Sequence, residues 1–195
     1  MKKVLFIGVI GLLGLGRLNA QERDKGDIEF SLFIGFSSSF LNGNEAETSD
    51  ARTAVTFGVN GDYFFNDRWS LRSGLNYNSM GADIGFNEFV LDYLSIPINA
   101  NWHFGNTRKW NLNFGLTSGF LLSADLDGLD VKEQVESFQL GISYGIGYKL
   151  PVSENFSILF DAHGLFGLTN IYPEDNGFNK QNASSSFNIG GVFKF

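Results

Sequence analysis

Apolar and polar residues alternate with a period of two along most of this chain. In TAVTFGVNGDYFF, residues 53–65, one set is Val55, Phe57, Val59, Tyr63 and Phe65, and the other is Thr56, Gly58, Asn60 and Asp62. In SFQLGISYGIGYKL, residues 137–150, Phe138, Leu140, Ile142, Tyr144, Ile146, Tyr148 and Leu150 interleave with Gln139, Gly141, Ser143, Gly145, Gly147 and Lys149. A period of two places successive side chains on opposite faces of a strand. The pattern predicts eight strands, at 28–40, 53–65, 69–81, 88–104, 109–123, 137–150, 155–170 and 184–195. The connectors are too short for crossover helices, so the expected order is an antiparallel meander.

The connectors alternate in character. Asn66-Asp67-Arg68, Gly105-Asn106-Thr107-Arg108 and Pro151 to Glu154 are short and rich in turn formers, whereas 41–52, 82–87, 124–136 and 171–183 are longer and more polar. An up-and-down barrel gathers one class at each rim. Tight turns at one rim and long loops at the other are the pattern of a transmembrane barrel.

A soluble barrel with its apolar face inward around a ligand is the competing architecture. Three features favour the membrane form. The strands run to about 12–16 residues, enough for a tilted spanning strand of roughly 9–11 with overhang. The polar face is rich in Gly, Ser and Asn, which suit a crowded interior better than a solvated exterior. Aromatic residues concentrate beside the three short turns: Tyr63, Phe65, Trp69, Trp102, Phe104, Trp110, Tyr148 and Phe156 form a predicted girdle at the periplasmic interface. The expected fold is therefore all-β, an eight-stranded antiparallel up-and-down transmembrane β-barrel. Closure leaves no unpaired edge in lipid.

Composition agrees with this reading. Hydrophobic residues make up 43% of the 195 and charged residues only 18%, too apolar for disorder and poor in charge for a soluble surface. The opening stretch MKKVLFIGVIGLLGLGRLNAQ has a basic start, a short apolar run and a small-residue cleavage site after Ala20. It predicts a signal peptide over 1–20, a short N-terminal segment over 21–27 and the barrel domain over 28–195. Removing Lys2, Lys3 and Arg17 takes the formal charge from −7 to −10, which argues against nucleic acid as a partner. The absence of Cys excludes disulfides, thiolate metal sites and a cysteine nucleophile.

Parity then assigns the lumen. Its predicted polar network draws on Glu29, Asp62, Arg72, His103, Lys149, Asp161, His163 and Lys194, among Asn76, Asn99, Asn101, Asn111, Asn113 and Asn188. An eight-stranded interior is just wide enough for side chains to fill it, so charges of both signs are expected to pair. Pro97 falls on the inward parity and lacks an N–H, which predicts a bulge there. The outward set is then expected to switch from Phe89, Leu91 and Tyr93 to Leu94, Ile96 and Ile98.

Little catalytic chemistry is legible. Asp161 and His163 share a face, but parity points them inward, with no Ser in a nucleophile-elbow context, so no catalytic residue is assigned. No metal and no cofactor is expected: the two histidines form no close ligand cluster. The run Asp125 to Asp130 lacks the ligand spacing of a calcium loop and reads as a solvated acidic loop. The long loops are acidic throughout, which suits solubility, a cation-bridged contact with lipid headgroups or a basic partner.

The signal peptide, the eight alternating strands, the segment Tyr93-Leu94-Ser95-Ile96-Pro97-Ile98 and the terminal Phe195 together resemble the outer-membrane β-barrel domain family, in particular the porin-like PorT-type proteins of Bacteroidetes. The resemblance implies an outer-membrane barrel without an agreed activity and supplies no catalytic residues. PorT-type members are linked to protein secretion. Phe195 also resembles the C-terminal aromatic signal read by outer-membrane assembly machinery. The expected protein is a small, non-enzymatic outer-membrane barrel with a side-chain-filled lumen and a structural or surface-interaction role. A narrow porin for small solutes and a lipid-modifying enzyme remain as alternatives. Its expected partners are outer-membrane lipid, the assembly machinery and an unidentified surface or secretion-system protein.

Overall fold

Eight long strands form this protein: β1 (Ile28–Gly43), β2 (Arg52–Phe64), β3 (Trp69–Ile84), β4 (Asn87–Phe104), β5 (Trp110–Leu126), β6 (Phe138–Pro151), β7 (Phe156–Gly167) and β8 (Lys180–Lys194). The computed structural model describes residues 23–43, 49–173 and 179–195, so the signal-peptide segment 1–20 lies outside the described residues. Each strand pairs antiparallel with the next, and β8 returns to pair with β1 from Glu29↔Lys194 to Gly43↔Lys180. The sheet is closed, an eight-stranded antiparallel barrel.

The alternation in sequence becomes an inside and an outside. In β6, Gln139, Gly141, Ser143, Gly145, Gly147 and Lys149 are buried, while Phe138, Ile142, Tyr144 and Ile146 are exposed. In β8, Phe187, Ile189 and Phe193 face out and Asn188 and Val192 are buried. A polar interior inside an apolar exterior is the inverse of a soluble barrel, and it is stable only where the exterior meets lipid.

Turn chemistry sets the ends. Asn66 Oδ1 accepts the backbone N–H groups of Arg68 (2.9 Å) and Trp69 (3.0 Å), holding the β2–β3 turn. At the opposite rim the strands run further than their alternation suggests. The expected long connector 82–87 is a two-residue hairpin: Ile84 pairs with Asn87, and Gly85 takes φ 64°. The acidic run 125–130 is likewise a hairpin, with Asp125↔Asp130 and Leu126↔Leu129 paired around Asp127 (φ 54°) and Gly128 (φ 85°). Asp-Gly supplies the two positive φ angles that a tight primed turn needs.

The bulge expected at Pro97 is not there. The β3–β4 register is unchanged on both sides of it, from Ser73↔Ile98 to Asn76↔Ser95, and the ladder simply omits the two pairs between. Proline has no N–H to give, and the flanking pairs hold the register without it. The register shift lies between Asp92 and Tyr93, on the β4–β5 side. Nor does the outward set switch. Phe89, Leu91 and Tyr93 are buried inward on the same parity as Asn99, Asn101 and His103. The expectation failed because it equated apolar with lipid-facing, and the lumen itself becomes apolar near the loop rim.

Candidate functional site

The lumen has three levels, beginning with a charged floor near the short turns. Parity on β1, β2, β3, β6 and β7 brings Glu29, Asp62, Arg72, Lys149 and Asp161 to nearly one height. Arg72 pairs with Asp62 at 3.0 Å and with Asp161 at 3.9 Å. Lys149 donates to Glu29 and lies 3.9 Å from Asp62. The second oxygen of Glu29 accepts from Arg23 Nε at 2.6 Å. Arg23 precedes β1, and its fully buried side chain closes the turn-side mouth. Among the described residues this floor holds Arg23, Arg72 and Lys149 against Glu29, Asp62 and Asp161, a balanced set. Balance matters because an unpaired charge here would have neither water nor counterion.

Hydrogen bonds complete the floor. Asp62 Oδ1 accepts from Ser70 Oγ (2.9 Å) and Asn101 Nδ2 (2.8 Å). Ser70 donates its only proton there, so His103 Nε2, 3.1 Å from Ser70 Oγ, is the protonated ring nitrogen. Asn111 donates to Asn101, Asn99 to Asn113, and Ser143 to Asn99. Beneath them lies Phe64, fully buried, with the Arg23 guanidinium 4.8 Å from its ring centre and the His103 ring 4.8 Å away. Neither Arg23 nor Phe64 belongs to the expected network. Arg23 precedes the strands, and no charge deficit points to it, because the expected network already balances Glu29, Asp62 and Asp161 against Arg72, Lys149 and Lys194. Phe64 shares the inward parity of Thr56, Gly58, Asn60 and Asp62.

Asparagine and glycine face each other across the wall. Asn76 opposes Gly58, Asn60 opposes Gly74, Asn99 opposes Gly115, Asn111 opposes Gly147, and Asn188 opposes Gly35. In each pair the amide oxygen lies where a Cβ on the glycine would stand, at only 2.1–2.6 Å. The amides therefore fill the space their partners vacate, which is how eight strands curl tightly around a packed interior.

Above the floor is a cavity of about 50 Å³, bordered by Arg72, Asp161, His163, Asn76, Asn99 and Asn188. It suits one or two waters and is far below the roughly 300 Å³ at which ligand pockets begin. Oxygens of Asn76, Asn188 and Asp161 without a hydrogen-bond donor among the described residues sit on its border. His163 is half-buried there, opposite Ser186, and no hydrogen bond joins it to Asp161 among the described residues.

The third level is an apolar cap near the loop rim. Met80, Phe89, Leu91, Tyr93, Leu121 and Ala124 pack inward from β3, β4 and β5, and Val135 and Ile171 come over them from the connectors. A Glu136 N–H bond to the Ile171 carbonyl (2.9 Å) ties those connectors together, and Tyr172 stacks on Phe89 at 6.4 Å. The polar link to the rest of the lumen is Asn182 Nδ2, which donates to Gln139 Oε1 (2.8 Å) and Tyr93 Oη (3.3 Å).

Lys194 stands at the turn-side rim, where it pairs with Asp27 at 3.0 Å and is more exposed than any floor residue. Its ammonium, donating to Asp27, holds that carboxyl below the ordinary carboxylate range. Of the aromatic residues beside the short turns, five form one run of ring contacts and the rest lie in separate pairs. Trp69 stacks with Trp102 (6.2 Å), Trp102 with Phe104 (5.1 Å), and Phe104 with Trp110 (6.4 Å), while Trp110 meets Tyr148 at 4.8 Å. Tyr63 and Phe65 pack edge-on at 5.6 Å, and Phe156 lies against Phe193 at 5.1 Å. Phe195 closes the seam: its N–H donates to the Ile28 carbonyl (3.2 Å), and its ring meets Phe30 edge-on at 5.8 Å.

No curated protein matches the sequence. Solved structures do resemble the fold. OprG from Pseudomonas aeruginosa is 16% identical with a TM-score of 0.54, over 91% of this chain and 99% of that one. Neisserial surface protein A is 16% identical with a TM-score of 0.51, over 85% and 97%. The N-terminal β-barrel domain of Pseudomonas aeruginosa OprF is 17% identical with a TM-score of 0.50, over 89% and 100%. At such identities the likeness concerns the fold alone. The family model of the outer membrane protein beta-barrel domain matches residues 19–172, so the chain belongs to that family of outer-membrane barrels.

Proposed function

We propose that this protein is a closed, non-conducting and non-enzymatic barrel of the bacterial outer membrane, with a structural or surface-interaction role. One observation carries the reading: the lumen is filled from rim to rim. Among the described residues the balanced floor with Arg23 and Phe64 blocks one mouth, the apolar cap covers the other, and the cavity between them holds about 50 Å³. Export by the segment 1–20, termini and short turns in the periplasm, and assembly through the C-terminal strand belong to the same proposal. So does an unidentified surface or secretion-system protein as partner.

The enzyme alternative finds no support in the geometry. Asp161 is engaged with Arg72, and His163 borders a cavity too small for a lipid headgroup. Planar-bilayer recording of the purified protein tests the central reading. The expected record is a flat baseline; a large, stable open conductance overturns it in favour of the porin.

A further inference from the structure

The outer wall carries a groove that the closed lumen does not explain. It encloses about 510 Å³ and is nearly all apolar, within the ~300–1,000 Å³ range of ligand sites. Its course follows one cross-strand row: Trp69 opposes Trp102, Trp102 opposes Leu112, Leu112 opposes Ile146, and Ile146 opposes Ala162. Trp69 opens β3 beside a short turn, whereas Ala162 is mid-strand in β7. The groove therefore climbs obliquely from the turn-side rim toward the middle of the wall. Tyr144 walls one side, its ring lying over Gly164 where a Cβ would come within 2.6 Å.

The lower end of the groove is cationic. The turns beneath Trp69 and Trp102 carry Arg68, Arg108 and Lys109 against one carboxylate, Asp67. Arg108 pairs with Asp67 at 2.9 Å, and the His103 N–H donates to the Arg68 carbonyl at 2.6 Å, so the two turns are held side by side. Arg68 is exposed and Lys109 half-exposed. An apolar groove that starts at two tryptophans, with two cations in the adjoining turns that have no ion-pair partners among the described residues, matches one ligand chemistry. That ligand has a long hydrocarbon chain joined to an anionic head. Indole rings favour the headgroup depth, and each cation there attracts negative lipid.

We propose that this groove seats an anionic phospholipid of the leaflet on the short-turn side, its chain along the Trp102–Ala162 row and its phosphate at Arg68 and Lys109. A zwitterionic lipid brings its own ammonium against the phosphate and gains less from the two cations, and a free phosphate would gain nothing from the groove. The proposal rests on the membrane reading given above.

The test is native mass spectrometry of the full-length mature protein in mild detergent, offered equal amounts of phosphatidylglycerol and phosphatidylcholine with identical chains. The expected result is one retained lipid, with up to a roughly 30-fold preference for phosphatidylglycerol from two surface cations. Substituting Arg68→Gln and Lys109→Gln together should bring that preference close to one. Ala162→Phe should reduce retention of both lipids, and Ala162→Leu serves if the larger ring prevents folding, as judged by heat-modifiable gel migration. Excess inorganic phosphate should displace nothing. Equal retention of the two lipids, a preference that survives the double substitution, full retention in the Ala162 variants, or displacement by phosphate overturns the proposal. A protein that stays monodisperse without detergent refutes the membrane reading instead, so the two failures are distinguishable.

Discussion

Lys149 and Glu29 meet in the floor of the lumen from positions 120 residues apart, each almost wholly buried. Removing one member of a buried, charge-balanced set leaves the other without a counterion at a typical cost of about 3–5 kcal/mol. Lys149→Met should therefore lower unfolding stability by an amount of this order, read as a shift in urea midpoint in lipid vesicles. Adding Glu29→Gln restores the balance and should recover part of the loss. A double variant no more stable than Lys149→Met alone would show that charge balance is not what stabilises the floor.

The facing Asn–Gly pairs predict opposite outcomes for two similar substitutions. The atoms nearest a Cβ on Gly147 would belong to side chains, Asn111 Oδ1 at 2.3 Å and Asp161 Oδ1 at 3.0 Å. A Cβ on Gly74 would meet the Val59 carbonyl of the backbone at 2.0 Å. Both Gly→Ala changes should destabilise, by about 1–3 kcal/mol for overpacking at Gly147 and by more at Gly74. Asn111→Ala should rescue Gly147→Ala, whereas Asn60→Ala should fail to rescue Gly74→Ala. Thermal melts of the two pairs decide the matter.

Closure at both ends makes single openings silent. Arg23→Ala vacates the turn-side mouth but leaves the cap of Leu91, Tyr93 and Ile171 intact. Leu91→Ala thins the cap, costing about 2–5 kcal/mol, above an intact floor. Neither variant should conduct in planar bilayers. Steady conductance from Arg23→Ala alone would mean that the cap is not a seal.

Deleting Phe195 removes the N–H bond to Ile28 and the edge-on contact with Phe30, both at the β1–β8 seam. The lumen floor touches neither. Outer-membrane levels of the deletion variant should fall severalfold, while the protein that does insert keeps wild-type heat modifiability. Normal levels by immunoblot of membrane fractions would remove Phe195 from any role in assembly.

Much of this architecture is readable in the residue pattern. Alternation in 53–65 and 137–150 marks strands and their two faces directly, since side chains on a strand alternate whatever surrounds them. The inward positions of Glu29, Asp62, Arg72, Lys149 and Asp161 follow by counting. Chemistry is a poorer guide to a face than counting. Phe64, Phe89, Leu91 and Tyr93 point inward because parity is geometric, and their apolar character says only that water is absent on that side. Arg23 lies outside any strand, so no periodicity reaches it.

The sequence alone determined the number and order of the long strands and the parity of those with clean alternation, such as β2 and β6, because these depend on local backbone geometry. It did not determine which inward residues share a level. That depends on the stagger accumulated around eight registers before β8 meets β1, a quantity no single segment contains. Closure put Lys149 beside Glu29, Asn111 over Gly147 and Tyr93 under the loop rim, and so made the lumen a balanced floor beneath an apolar cap. The same stagger aligned Trp69, Trp102 and Ala162 into one oblique groove on the outside.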